Sequence, residues 1–238
     1  MGQNDWSDLT STPLSAAAVA RGVTAGITPP NGGGSFVFGF NSLDGTSIGV
    51  VGKYCNLVNF SPTAAGGSIR GAVKRLSSTG NTGFSPFLFG CAAGYTTTDS
   101  AYLLGLQDAD PYKIVLVKTT LISGVNTDDT AVTTLRSSSA EYQISDDDWH
   151  HLRLDVIVQD NGDVLLSVFE NADLVTNDVT APVWTAVAGM TDYIDDRLQI
   201  NTGSAPLTPG GYWGFGYAVS EAINRRAAVD AIEVYRAT

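Results

Sequence analysis

Two adjacent histidines, a scatter of carboxylates and four tryptophans are the residues of this chain whose types could do chemistry. His150 and His151 are its only imidazoles, and they stand side by side at the head of an alternating apolar run. Neighbours on a strand point to opposite faces, so the two rings are not placed to share one metal or one substrate. One is expected to pack and the other to be solvated. Glycosidic cleavage needs two carboxyls converging across a sugar, about 5 Å apart for retention and somewhat more for inversion. Glu141, Glu170, Glu221 and Glu233 occur singly, and Asp146-Asp147-Asp148 and Asp195-Asp196 lie in turn-like sequence, so no converging pair is expected. A nucleophile elbow of the G-x-S-x-G type is also absent. The chain is therefore read as a non-enzyme.

Binding chemistry has better material. Trp184, Tyr193 and Trp213 are the candidates for a glycan platform, because flat rings stack on pyranose faces and can offer a polar tip. Core packing is the competing reading for each ring, and Trp184, which follows Pro182 in a loop-like segment, is the best placed to be exposed. For a metal, the acidic turn residues Asp146, Asp148, Asp160 and Asp163, with Asp147 among them, could gather at neighbouring hairpin ends and take Ca²⁺ through carboxylates and carbonyls. Asp also caps turns through its own side chain, and no twelve-residue calcium loop is visible, so the turn reading is preferred. No cofactor is expected, Ca²⁺ being the one candidate metal.

These residues must be positioned by strands. Only 16% of the 238 residues are charged, while 26 are Gly and 9 are Pro, the balance of an all-β chain with many turns. Hydrophobic content of 43% excludes global disorder, and no apolar run approaches the length that crosses a bilayer. A net charge of -11 sets nucleic acid aside as a ligand. From Ser35 onward the pattern has period two: Phe36, Phe38 and Phe40; Ile69, Gly71 and Val73; Phe87 and Phe89 around Leu88; Ile114 and Leu116 around Val115. The clearest unit runs from Trp149 to Val158, turns at Asp160-Asn161-Gly162-Asp163, and returns from Val164 to Glu170. Asn-Gly between alternating runs predicts a hairpin with a type I′ turn. Leu152, Leu154, Val156 and Val158 then share a buried face with Val164, Leu166 and Val168.

Residues 1–34 are read as a separate arm. Ser11-Thr12-Pro13 offers a helix cap, an Ala-rich run follows from Leu14 to Arg21, and Gly22 is placed to stop it, so one short helix is expected there. Residues 35–238 are read as the β-sandwich domain, two packed antiparallel sheets in a jelly roll. Cys55 and Cys91 fit no metal-knuckle spacing and read as small core residues, with a single bridge left open. The opening residues lack the basic start and apolar run of a secretory leader, which predicts synthesis in a cytoplasm.

The strings Trp149-His150-His151-Leu152-Arg153-Leu154 and Leu165-Leu166-Ser167-Val168-Phe169 resemble the Trp-led hairpin of concanavalin A-like lectin/laminin-G sandwiches. Gly211-Tyr212-Trp213-Gly214-Phe215 and Val229-Asp230-Ala231-Ile232-Glu233-Val234 are similar to the last two strands of the same fold. The resemblance implies a jelly roll of concanavalin A-like form. A second resemblance, carried by Ser100 to Leu106 and Asp110 to Lys118, is to virion proteins of tailed bacteriophages. It implies a structural or decorating component on capsid or tail, made in a bacterial cytoplasm and located in the virion. The implied partners are other virion proteins and further copies of the chain. The alternative expectation is a lectin-like module that binds cell-surface glycans.

Overall fold

A computed structural model describes residues 6–8, 19–23, 36–40, 49–55, 66–75, 84–92, 99–107, 113–120, 132–138, 149–171, 181–198, 204–207, 211–219 and 226–236. Their strands form two sheets. One has the order β1 (Trp6–Asp8), β4 (Gly49–Cys55), β14 (Tyr212–Val219), β6 (Phe84–Ala92), β7 (Ala101–Gln107), β8 (Lys113–Thr119), β9 (Val132–Ser137). The other has the order β12 (Trp184–Ala186), β11 (Val164–Asn171), β10 (His150–Val158), β5 (Gly66–Arg75), β15 (Arg226–Arg236), β3 (Phe36–Phe40), β2 (Val19–Val23), with β13 (Tyr193–Asp195) also pairing β11. The pairings are antiparallel, and strands distant in sequence lie side by side, with β5 between β10 and β15 and β14 between β4 and β6. That crossed order is a sandwich of jelly-roll type, as the alternation predicted.

The predicted hairpin forms in register, Leu154 opposite Val168 and Val158 opposite Val164. Its turn differs from the expectation. Gly162 N donates to the Gln159 carbonyl, and only Gly162 has a positive φ, of 88°. The connection is thus a type I turn closed by a left-handed glycine, the three-residue hairpin loop, and not a type I′ turn with two left-handed residues.

Leu152, Leu154, Val156, Leu166 and Val168 from one sheet meet Leu88, Leu104, Ile114 and Leu116 from the other in the main core. Trp213 lies wholly inside it. Its indole reaches both sheets: a Cβ on Gly90 would fall 2.7 Å from Cε3, and one on Gly67 3.1 Å from Cζ2. Phe87, Phe89, Leu103, Val115 and Val117 form a second buried cluster on the opposite face of the seven-stranded sheet. Its middle strands are therefore buried on both faces, which is why β7 and β8 read as nearly continuous apolar runs.

Lys118 and Asp195 tie the two layers together. Lys118 Nζ donates to both Asp195 carboxylate oxygens at 2.8 Å and to the carbonyls of Ser204 and Ala205 at 3.1 and 3.0 Å. Tyr102 Oη donates to Asp195 at 2.7 Å and accepts the Leu207 N–H at 3.0 Å. Asp195, read as part of a turn-like sequence, ends the strand β13 and is fully buried. Its charge is tolerated there because each oxygen is met by the ammonium and one also by the phenol.

The start of the chain is not a helix where it can be described. Residues 19–21, expected as the end of the Ala-rich helix, belong to the strand β2, which pairs β3 from Val19 opposite Phe40 to Val23 opposite Phe36. The β-branched Val19 and Val23 suit an extended edge, and pairing with β3 overrides the local helix preference of the alanines. β1 pairs β4 at the edge of the other sheet, so the first 34 residues supply strands to both layers. The rest of the expected helix, residues 11–18, lies outside the described residues.

Candidate functional site

Among the described residues, the outward face of the eight-stranded sheet carries a connected group of polar and aromatic side chains. Core residues alternate along β10, so Leu152 and Leu154 point inward and His151, Arg153 and Asp155 outward. Arg70 on β5 sits directly opposite Arg153 on one side and Glu233 of β15 on the other. Phe169 of β11 stands opposite Arg153, and Trp184 of β12 opposite Asn171.

Glu233 and Tyr235 reach this face because β15 carries a bulge. Before it Val229 points into the core, and after it Val234 does, a change of parity that turns Glu233 and Tyr235 outward. Ala231, inside the bulge, has φ of 50°, the left-handed conformation that an alanine adopts at a cost. Ile232 in the same bulge packs over the position where Gly71 has no side chain.

Trp184 is the centre of the arrangement. The Arg70 guanidinium lies 6.0 Å and the Arg153 guanidinium 5.9 Å from its ring centroid. Arg70 also sits 5.0 Å over the Tyr235 ring, and Arg153 4.8 Å over Phe169. Each arginine has a carboxylate: Arg70 Nε bonds Glu233 at 2.7 Å with Nη2 on the same oxygen, and Arg153 bonds Asp155 in two places, Nε at 2.7 Å. Tyr235 Oη donates to the same Glu233 carboxylate. Burial pushes the Glu233 carboxyl up, but the Tyr235 hydroxyl and the Arg70 guanidinium outweigh it and hold it below the usual range. Burial, then the bond to Glu233, raises the Tyr235 phenol.

His151 lies behind Trp184, fully buried, with ring centroids 4.8 Å apart and planes at 56°. Asn171 fixes its state. The Val183 N–H donates to Asn171 Oδ1 at 3.0 Å, so the amide turns Nδ2 toward His151 Nδ1, 3.3 Å away. An amide NH₂ only donates, so Nδ1 is the acceptor and the proton is on Nε2. That Nε2–H is buried, and no described group accepts from it. Burial, then the Arg70 charge, lowers the imidazole pKa from 6.5 to about 4, with Glu233 opposing.

Of the expected platform, Trp184 alone has a partly exposed ring here. Tyr193 is 4% exposed and Trp213 wholly buried, both in the main core, where neither presents a face to a sugar. The Arg136 guanidinium covers Tyr193 at 4.1 Å from its centroid. Of the acidic set, Asp146 and Asp148 lie outside the described residues. Asp160 is exposed at the hairpin tip. Asp163 accepts from the Asn161 side chain at 2.7 Å and from the Arg197 N–H at 2.9 Å, the behaviour of a turn-forming aspartate. Among the described residues no three His, Cys, Asp or Glu side chains gather as a metal site. His150 is not freely solvated as one histidine was expected to be; it sits at the sandwich rim, 3.5 Å from Glu170, with 11% of its side chain exposed. Arg70, Glu233 and Tyr235 were missed, because their meeting depends on a bulge that periodicity does not announce.

No family profile and no curated relative matches the sequence. Among solved structures, the cellulose induced protein Cip1 is similar at 13% identity, covering 98% of this chain and 92% of that one with a TM-score of 0.59. A conserved carbohydrate esterase from Shiga toxin-encoding bacteriophage phi24B is similar at 10% identity, 98% and 90% coverage and TM-score 0.49. The carbohydrate recognition domain of Emp47p is similar at 12% identity, 100% and 97% coverage and TM-score 0.46. At 13% identity the likeness to Cip1 is one of fold, and it covers nearly the whole chain.

Proposed function

We propose that the chain is a lectin-like carbohydrate-binding module that takes its saccharide on the outward face of the eight-stranded sheet, at Trp184. The observation that supports this is one partly exposed indole with two guanidiniums within about 6 Å of its centroid and a further exposed ring, Tyr235, beside them. An aromatic surface fringed by fixed hydrogen-bonding groups is the arrangement that sugar binding needs: the ring receives the apolar face of a pyranose, and the polar fringe orients its hydroxyls. Glu233 and Asp155 are each held by an arginine, which favours binding over cleavage at these two carboxylates.

A glycan array with the intact chain, read with and without Ca²⁺, tests the proposal, followed by calorimetry on the best ligand. Binding that disappears in Trp184→Ala and survives in Tyr193→Phe supports it. Binding unaffected by Trp184→Ala moves the site elsewhere, and an array without any signal removes the reading. Attachment to a tailed-phage particle is a second reading that rests on sequence resemblance alone. It is compatible with a glycan-gripping module, and mass spectrometry of purified particles tests it.

A further inference from the structure

We infer that the saccharide taken at Trp184 carries a carboxylate, received between Arg70 and Arg153; this rests on the glycan-binding reading above. The inference comes from which hydrogen-bonding groups of the face are occupied. Both Asp155 oxygens receive Arg153, and one Glu233 oxygen receives both Arg70 and the Tyr235 hydroxyl. Donors are left over. A guanidinium has five N–H groups, and among the described residues each of these two directs one edge at its carboxylate and finds no other acceptor.

The backbone adds a second argument. Arg70 and Arg153 are direct cross-strand partners, and like charges opposite one another destabilise an antiparallel pair. Their internal carboxylates flank them on the outside, Glu233 from β15 and Asp155 two residues along β10. An anion between the two guanidiniums would relieve the repulsion that those flanking acids only reduce. A planar carboxylate matches the fork of a guanidinium better than a hydroxyl does, and each of its oxygens can accept from one of the N–H groups left over. With a net charge of -11 the whole chain repels polyanions at long range, so selectivity would arise in contact and not in diffuse attraction.

An array pairing uronic-acid oligosaccharides of several stereochemistries with their methyl esters, and with sulfated and neutral oligosaccharides, tests this on the unaltered chain. The free acid should bind at least about tenfold more tightly than its own methyl ester, the worth of one charge-assisted bond. Arg153→Gln and Arg70→Gln, checked for folding by thermal melting, should remove that preference while leaving residual binding through the ring. Equal affinity for acid and ester overturns the carboxylate and leaves the glycan reading standing. Preference for the sulfated sugars overturns the carboxylate in favour of another oxyanion. Absence of binding to every class overturns both.

Discussion

Asn171 divides its amide between His151 and the backbone of Val183, Nδ2 lying 3.3 Å from the imidazole Nδ1 and Oδ1 accepting the Val183 N–H at 3.0 Å. One side chain thereby sets the tautomer of the buried histidine and anchors the residue next to Trp184. Replacing Asn171 by Asp should reverse the first effect, since an acceptor beside Nδ1 favours a proton there. The imidazole resonances of His151 should move to the Nδ1–H pattern in ¹⁵N NMR, and an unchanged pattern contradicts the assignment.

His151 also makes stability depend on pH. The unfolded chain takes up a proton near 6.5, whereas the folded imidazole, lowered to about 4, does not. The unfolded state therefore binds more protons between these values, and stability falls as pH drops from 6.5 to 4, by about 3 kcal/mol in all. Glu233 acts in the same direction, its contribution being lost as pH falls through its lowered folded value. Urea unfolding at pH 7, 5.5 and 4.5 should show the decline, and in His151→Leu the part between 6.5 and 5 should flatten.

Trp184 covers the histidine, so Trp184→Ala should let water reach it. The His151 titration midpoint should rise toward 6.5 by about one unit or more, as desolvation is the main cause of its lowering. NMR titration of the imidazole carbon-bound protons reads this directly. A midpoint that stays near 4 would show that the ring is buried by other groups.

Lys118→Met leaves Asp195 inside the sandwich without its counter-ion. The loss should be about 3–5 kcal/mol, and the double change Lys118→Met/Asp195→Leu should recover most of it, because replacing both charges removes the stranded one. Denaturant unfolding of the two single variants and the double completes the cycle. A double variant as unstable as the worse single would show that the pair holds the sheets together by more than charge.

Gly90→Ala puts a methyl against the Trp213 indole, which cannot withdraw because Gly67 touches its other edge. A cost of about 1–3 kcal/mol is expected from overpacking. Gly162→Ala meets nothing within 4 Å, so its cost comes from the positive φ alone, about 1 kcal/mol. Melting temperatures of the two variants should separate accordingly.

The sandwich was readable where one face is buried and the other wet, as in Leu152 to Val158 against Val164 to Val168, since alternation there states which side is core. It was less readable on β7 and β8, where both faces are buried and alternation carries no direction. Among the aromatics, sequence could name Trp184, Tyr193 and Trp213 but not rank their exposure beyond the proline beside Trp184. Residue type cannot tell a ring filling the gap over Gly90 from one lying on a sheet. The site itself was hidden by the bulge at Ala231: strict alternation from Val229 puts Glu233 and Tyr235 on the core face of β15, and they reach Arg70 only because the strand has changed step before them. Asp195 was hidden for a different reason, its cation lying 77 residues away.

That separation has a consequence for a chain made from one end. At roughly 5–20 residues per second, translation delivers Asp195 several seconds after Lys118 has left the ribosome. Until then the ammonium has no counter-ion and must remain hydrated, so β8 cannot seal that end of the sandwich however good its apolar contacts are. The last third of the polypeptide also supplies β14 and β15, which stand in the middle of the two sheets, so the layers and the ion pair are completed by the same late segment.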